Sequence, residues 1–203
     1  MNRLRSLPGL LNAILPWALL TFTAPPLLAN TITHSTPHPT SNPPLKNFQA
    51  QGKVAFTQGK RGGNASIFWK QQGNQYNIRL VGALGAGSLE IHGQPGFVGL
   101  NQSNGERYTA TDPEQLIKKV LGWDIPVSPL RFWLQGQMVP GTKSDHVQYD
   151  SKGQLLTLNQ LGWQIAYHKY IEQESRLLPS RVTLQHGNVR LKFIFRKWKV
   201  EAP

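Results

Sequence analysis

The chain has 203 residues, with 22 Lys and Arg against 10 Asp and Glu, giving a formal net charge of +12. It contains no cysteine, which excludes disulfides, thiolate zinc sites, cysteine nucleophiles and a lipid carried on an amino-terminal cysteine. A positive balance attracts anionic lipid head groups, acidic proteins or nucleic acid, and the sign alone does not choose among them.

Arg3 and Arg5 open the chain, followed by an apolar run from Leu10 to Phe22 and then by Leu27-Leu28-Ala29. A short basic region, an apolar stretch and a small residue at a cut site predict a secretory signal over residues 1–29. It is either cleaved after Ala29 or kept as an uncleaved anchor, and Pro8, Gly9 and Pro16 disfavour a spanning helix. Residues 30–46 are rich in Thr, Ser, Asn and Pro. They bury too little apolar surface to offset their ordering entropy, so a flexible tether is expected there. Residues 47–203 remain as a single domain, long enough for a sizeable core.

Period-two alternation dominates the first part of that domain. Phe48, Ala50, Gly52, Val54 and Phe56 share one face, and Ile67, Phe68 and Trp69 mark a second strand over 65–71. Tyr76, Ile78 and Leu80 alternate with Asn77 and Arg79; Leu89 and Ile91 alternate with Glu90 and His92. Further strands are predicted at 97–101 and 107–111, with turn signals at Gly62-Gly63-Asn64, Gln72-Gly73-Asn74, Gly93-Gln94-Pro95-Gly96 and Ser103-Asn104-Gly105. The turn between the third and fourth strands is unusual. It reads Gly82-Ala83-Leu84-Gly85-Ala86-Gly87, with a large aliphatic residue and no charge at the tip, where polar turn formers are the norm. Pattern alone admits two readings: Leu84 stands free to meet a lipid or a partner, or it folds back to cap the core.

The period then changes. Asp112-Pro113-Glu114-Gln115 has an N-cap, a proline at the first helical position and a Gln three residues after the cap; Leu116, Ile117, Val120 and Leu121 follow at helical spacing, and Gly122 closes the helix. A second helix is expected to start at Ser128-Pro129, to carry Leu130, Trp133 and Leu134 on one stripe, and to end at Gly136. After a loop with apolar content over 137–144, strands resume at 146–149, 155–158, 163–170, 181–186 and 189–200. In the last, Val189, Leu191, Phe193 and Phe195 oppose Arg190, Lys192 and Arg196, with Ile194 interrupting the polar row. The simplest packing is mainly β: one curved antiparallel sheet of about eleven strands with the helices plugging its open side. Such a sheet encloses more volume than two short helices fill, which predicts an apolar cavity. Its expected lining is Phe56, Phe68, Ile78, Leu80, Leu116, Val120, Leu130, Trp133, Leu191 and Phe193.

Catalytic chemistry finds no footing. The acids fall in caps, turns, loops, a helix first turn and the chain end, except Glu90, which lies inside a strand on its solvent side; no two of them stand at a spacing for acid–base work, and the six histidines show no metal-ligand spacing outside the tether. No nucleophile elbow, phosphate loop or dinucleotide fingerprint occurs. A non-enzymatic protein without metal or cofactor is therefore expected. Nucleic-acid binding is disfavoured too, because Phe193 and Phe195 point away from Arg190 and Lys192 and are not offered for base stacking.

The runs Phe68-Trp69-Lys70-Gln71-Gln72-Gly73, Tyr76-Asn77-Ile78-Arg79-Leu80, Leu84-Gly85, Leu89-Glu90-Ile91, Gln94-Pro95-Gly96, Gly105-Glu106-Arg107-Tyr108-Thr109-Ala110, Ile125-Pro126-Val127-Ser128-Pro129-Leu130-Arg131 and the closing Trp198 carry a resemblance. Over residues 48–200, in order and spacing, the chain resembles the LolB family of outer-membrane lipoprotein receptors. The resemblance implies an unclosed antiparallel barrel covered by two or three short helices, with a cavity for acyl chains. It implies a monomeric receptor that takes acylated lipoproteins from a LolA-type carrier and inserts them into the inner leaflet of the outer membrane, using neither nucleotide nor cofactor. The family's membrane-inserting hairpin falls on Gly82, Ala83, Leu84 and Gly85, which implies that Leu84 is exposed to the membrane surface. An alternative is a periplasmic module for free phospholipid or lipid A. Family members are anchored by a lipidated cysteine, yet Asn30 follows Leu27-Leu28-Ala29 here; an exported protein on the periplasmic side of the outer membrane is expected, without that anchor.

Overall fold

The structure, a computed structural model, describes residues 43–83 and 86–201. The expected signal over 1–29, the tether as far as residue 42, and Leu84 and Gly85 lie outside the described residues. The elements in chain order are β1 (Asn47–Gln58), β2 (Arg61–Gln72), β3 (Gln75–Gly82), β4 (Ser88–Gln94), β5 (Phe97–Gln102), β6 (Arg107–Ala110), α1 (Pro113–Leu121), α2 (Val127–Trp133), β7 (Ser144–Tyr149), β8 (Leu155–Gln160), β9 (Trp163–Gln173), β10 (Arg176–His186) and β11 (Val189–Val200).

All eleven strands belong to one sheet in the order β6-β5-β4-β3-β2-β1-β11-β10-β9-β8-β7, with each pair antiparallel. Local hairpins build both wings, and a single long-range pairing, β1 with β11, joins them. The edge strands β6 and β7 do not pair. They are consecutive in the chain, so the segment linking them, which holds both helices, must cross the opening that the sheet leaves. This is the expected unclosed barrel.

Burial follows the alternation. Phe48, Ala50 and Val54 of β1, Ile67 and Trp69 of β2, Ile78 of β3 and Leu191, Phe193 and Phe195 of β11 are buried, while their neighbours face water. Gly52 sits at a bulge in the β1–β11 pairing, where an added Cβ would run into the Ile194 carbonyl oxygen. A residue without a side chain is what lets β11 approach at this seam.

Three expectations shift. Gly62-Gly63-Asn64 lies inside β2, and the turn is formed by Gly59 and Lys60. The glycines instead make room: a Cβ on Gly63 would meet the Phe56 ring at 2.8 Å. Ser128 does not cap α2, which begins at Val127; the Ser128 N–H donates to Glu114 Oε1 at 2.8 Å, so a carboxylate in the first turn of α1 satisfies it. Finally, the last residues of the expected tether are held in place. The Leu45 N–H donates to Gln135 Oε1 at 2.6 Å and the Pro43 carbonyl accepts from Arg176 Nη1 at 3.1 Å. The α1 boundaries agree with the sequence: Asp112 Oδ1 accepts from Gln115 N at 2.9 Å, and Gly122 ends the helix at φ 71°.

Candidate functional site

Between the helices and the β1–β4 and β11 part of the sheet lies a small hollow of about 60 Å³ whose wall is apolar throughout. Strand alternation supplies its floor: Val54 and Phe56 from β1, Ile67 and Trp69 from β2, Ile78 and Leu80 from β3, Leu191 and Phe193 from β11. Its roof comes from Ile117 and Leu121 of α1, Trp123 and Ile125 of the connection, and Val127 and Leu130 of α2. The Phe56 and Trp123 rings meet at a tilt of 42°, with centroids 3.9 Å apart. Trp123 Nε1 is buried there without a hydrogen-bond partner, an unfavourable state for a donor that water would otherwise satisfy.

Six of the residues expected at the cavity meet in this hollow: Phe56, Ile78, Leu80, Leu130, Leu191 and Phe193. Phe68 does not. It is 43% exposed, because Ile67 and Trp69 take the inner face and alternation sends the residue between them outward. Leu116 is buried in the packing of α1 and Val120 is half-buried against the core, but the stripe that looks into the hollow is Ile117 and Leu121. Trp133 is completely buried and belongs to the other wing. Its Nε1 donates to Gln160 Oε1 at 2.9 Å and its ring packs on Trp163 at 6.4 Å. Trp123 and Ile125 were not expected at the cavity; the signal in the sequence is a pair of apolar residues between two helices, the second of them in the run Ile125-Pro126-Val127 that carries the family resemblance.

At the hairpin, Gly82 N–H donates to Gly87 O at 3.0 Å and Ala86 N–H to Ala83 O at 3.1 Å, with Ala83 and Ala86 both exposed. The β5–β6 turn braces its base: Ser103 N–H donates to Ser88 O at 2.9 Å and Ser88 N–H to Ser103 Oγ at 3.1 Å. Among the described residues no three His, Asp or Glu gather as metal ligands. The perturbed ionisable groups are tyrosines. Burial, and then the charge of Glu114, push the Tyr76 phenol up to about 12; burial raises Tyr167 well above its ordinary value.

The family model described as outer membrane lipoprotein LolB matches residues 46–198. An outer-membrane lipoprotein LolB of Pseudomonas savastanoi pv. phaseolicola is 39% identical over 155 residues, covering 76% of this chain and 75% of its own. One of Pseudomonas fluorescens strain Pf0-1 is 37% identical over the same shares. Among solved structures, a DUF1329 family protein from Desulfovibrio piger superposes with a TM-score of 0.50 at 6% identity, across 77% of this chain and 86% of that one. At that identity the likeness concerns the fold alone.

Proposed function

Because this chain belongs to the LolB family, we propose that it is a lipoprotein receptor of the outer membrane. It accepts acylated lipoproteins from a LolA-type carrier and releases them into the inner leaflet, on the periplasmic side, by binding alone and without nucleotide, cofactor or covalent chemistry. The observation that carries this reading is the hollow: a wall of apolar side chains from both the sheet and the roof, in which the buried Trp123 Nε1 is the one polar atom without a partner among the described lining residues.

The hollow's size sets the mechanism. At about 60 Å³ it is well below the roughly 300 Å³ of a small ligand pocket, so an acyl chain enters only by displacing roof side chains. Lifting Ile117, Leu121 and Trp123 exposes three large apolar groups, at a cost of about 5–9 kcal/mol. Each methylene that takes their place returns about 0.8 kcal/mol, so roughly ten buried methylenes balance the opening. The exchange is close to neutral, as hand-over without an energy source requires. Delivery falls to the hairpin, where Leu84 sits between Ala83 and Gly85 with no charged residue from Gly82 to Gly87; a tip of this kind can enter the interfacial region of a bilayer.

The test is transfer of a lipoprotein from a loaded LolA-type carrier to the full chain, then to vesicles. Leu84→Glu is expected to accept lipoprotein normally and to lose most of its incorporation into vesicles. Unchanged delivery by that variant would remove the hairpin's role. Refusal of lipoprotein by the unaltered chain, with only phospholipid found bound by mass spectrometry, would replace the receptor with a free-lipid carrier.

A further inference from the structure

The outer face of the sheet carries a charge pattern that neither the hollow nor the hairpin uses. Lys53 of β1 lies opposite Ile194 of β11, Ile194 lies opposite Arg181 of β10, and Arg181 lies opposite Lys169 of β9. One transverse row therefore reads Lys, Ile, Arg, Lys, and Lys192 stands one step further along β11 on the same face, opposite Ala55 and Thr183. All five side chains are exposed. No Asp or Glu occurs anywhere on β2, β1, β11 or β10. The side-chain ion pairs among the described residues, Lys118 with Asp124 and Lys143 with Asp145, lie elsewhere.

Like charges facing one another across a ladder are destabilising, so the Arg181–Lys169 pairing works against the sheet unless an external anion offsets it. Two exposed apolar side chains sit within this field: Ile194 at 36% and Phe68 at 43%. Cations with scattered apolar groups between them, and no acid on β2, β1, β11 or β10 (the one on β9, Glu172, lies opposite Leu177 near the strand end), match the chemistry of a bilayer surface, where head groups take the charge and the boundary region takes the apolar side chains.

We propose that the outer face of β1, β11 and β10 is a docking surface for an anionic lipid bilayer, distinct from the β3–β4 hairpin. It holds the barrel against the membrane by electrostatics, while the hairpin enters it. The face deepens the receptor reading by supplying its approach to the target membrane, and its test is independent of lipoprotein transfer.

Vesicle co-sedimentation of the full chain decides it, using phosphatidylcholine alone and phosphatidylcholine with about one-third phosphatidylglycerol. The unaltered chain is expected to bind the anionic vesicles at least roughly tenfold more tightly, with the preference collapsing near 1 M salt, where screening shortens to about 3 Å. K53Q/R181Q/K192Q should lose most of that preference. K119Q/K143Q/K152Q, with the same net charge, should keep it; the hairpin assignment is read separately, from incorporation of lipoprotein into vesicles, so failure of that assignment and failure of this one are separable. Exposed polar substitutions leave the core alone, and an unchanged thermal midpoint confirms the fold. Equal loss in both triple variants would reduce the effect to net charge and overturn the proposal. So would equal binding to both vesicle types, or loss by the face variant only of binding to an acidic carrier protein, which would assign the face to a protein partner.

Discussion

Under α1, the β1–β4 wing meets its cover through apolar contacts around a hollow; under α2 and the loop after it, the β7–β10 wing meets its cover through buried hydrogen bonds. On the second side, Gln160 is the hub. Its Oε1 accepts from Trp133 Nε1 and Val139 N, both at 2.9 Å. Its Nε2 donates to the carbonyls of Val139 and Thr142, both at 3.1 Å. The Tyr167 hydroxyl adds a bond to Trp133 O at 2.8 Å. On the first side, the roof donor Trp123 Nε1 has no partner at all. The contrast teaches which part of the lid can move. Apolar contacts can be exchanged for other apolar contacts without orphaning a buried polar group, whereas the hydrogen-bonded side cannot part without leaving buried donors unpaired. Mobility is thus assigned to α1 and the connection through Ile125, and a fixed role to the end of α2.

Breaking the pinned side should have the largest effect. Gln160→Leu keeps the volume roughly similar but orphans the Trp133 and Val139 donors together with two carbonyls. Each buried orphan costs about 1–3 kcal/mol, and the expected loss is about 4 kcal/mol in urea unfolding. A loss below about 1 kcal/mol would show that the network is not what fixes α2.

The loose side should respond in the opposite sense. Trp123→Leu removes a half-buried ring whose N–H was never satisfied, so stability should fall by only about 1 kcal/mol, while uptake of an apolar fluorescent dye into the hollow becomes faster. If that variant is as destabilised as the Gln160 one, the two sides do not differ in the way proposed.

The sequence made this architecture legible and the site only half so, for physical reasons. Alternation exposes every strand, because one face of each is wet, and the Asp112 and Gly122 caps delimit α1. The same alternation already placed Phe68 outside, since Ile67 and Trp69 flank it; naming it for the cavity followed its size and not its parity. Helical spacing shows that Leu116, Ile117, Val120 and Leu121 form a stripe, but not which edge of the stripe looks into a hollow and which into the sheet. Gly62 and Gly63 look like a turn, because a glycine that admits a neighbouring ring is indistinguishable in sequence from one that bends the chain. Gln160 was invisible: a polar residue at a strand end reads as a surface residue until its four partners arrive from 133–142.

The smallest effect concerns pH, and it tests the join between lid and sheet. Tyr76 on β3 is the phenol whose rise to about 12 comes from burial and then from the charge of Glu114 in the first turn of α1. In the unfolded chain it titrates near 10. A raised folded value means that the native state holds the proton more tightly, so this contribution is complete below pH 10 and is lost as pH rises through 12. Ionised Tyr76 would also face the Glu114 carboxylate that satisfies Ser128 N, so α1 should loosen before the pinned wing does. Tyr76→Phe should therefore flatten the fall in thermal midpoint between pH 10 and 12 and suppress dye uptake in that window. Tyr167 and Tyr170, both raised mainly by burial, leave a remaining alkaline fall in the variant. A Tyr76→Phe profile that overlays the parent's would mean that the lid's grip on the sheet does not pass through this phenol.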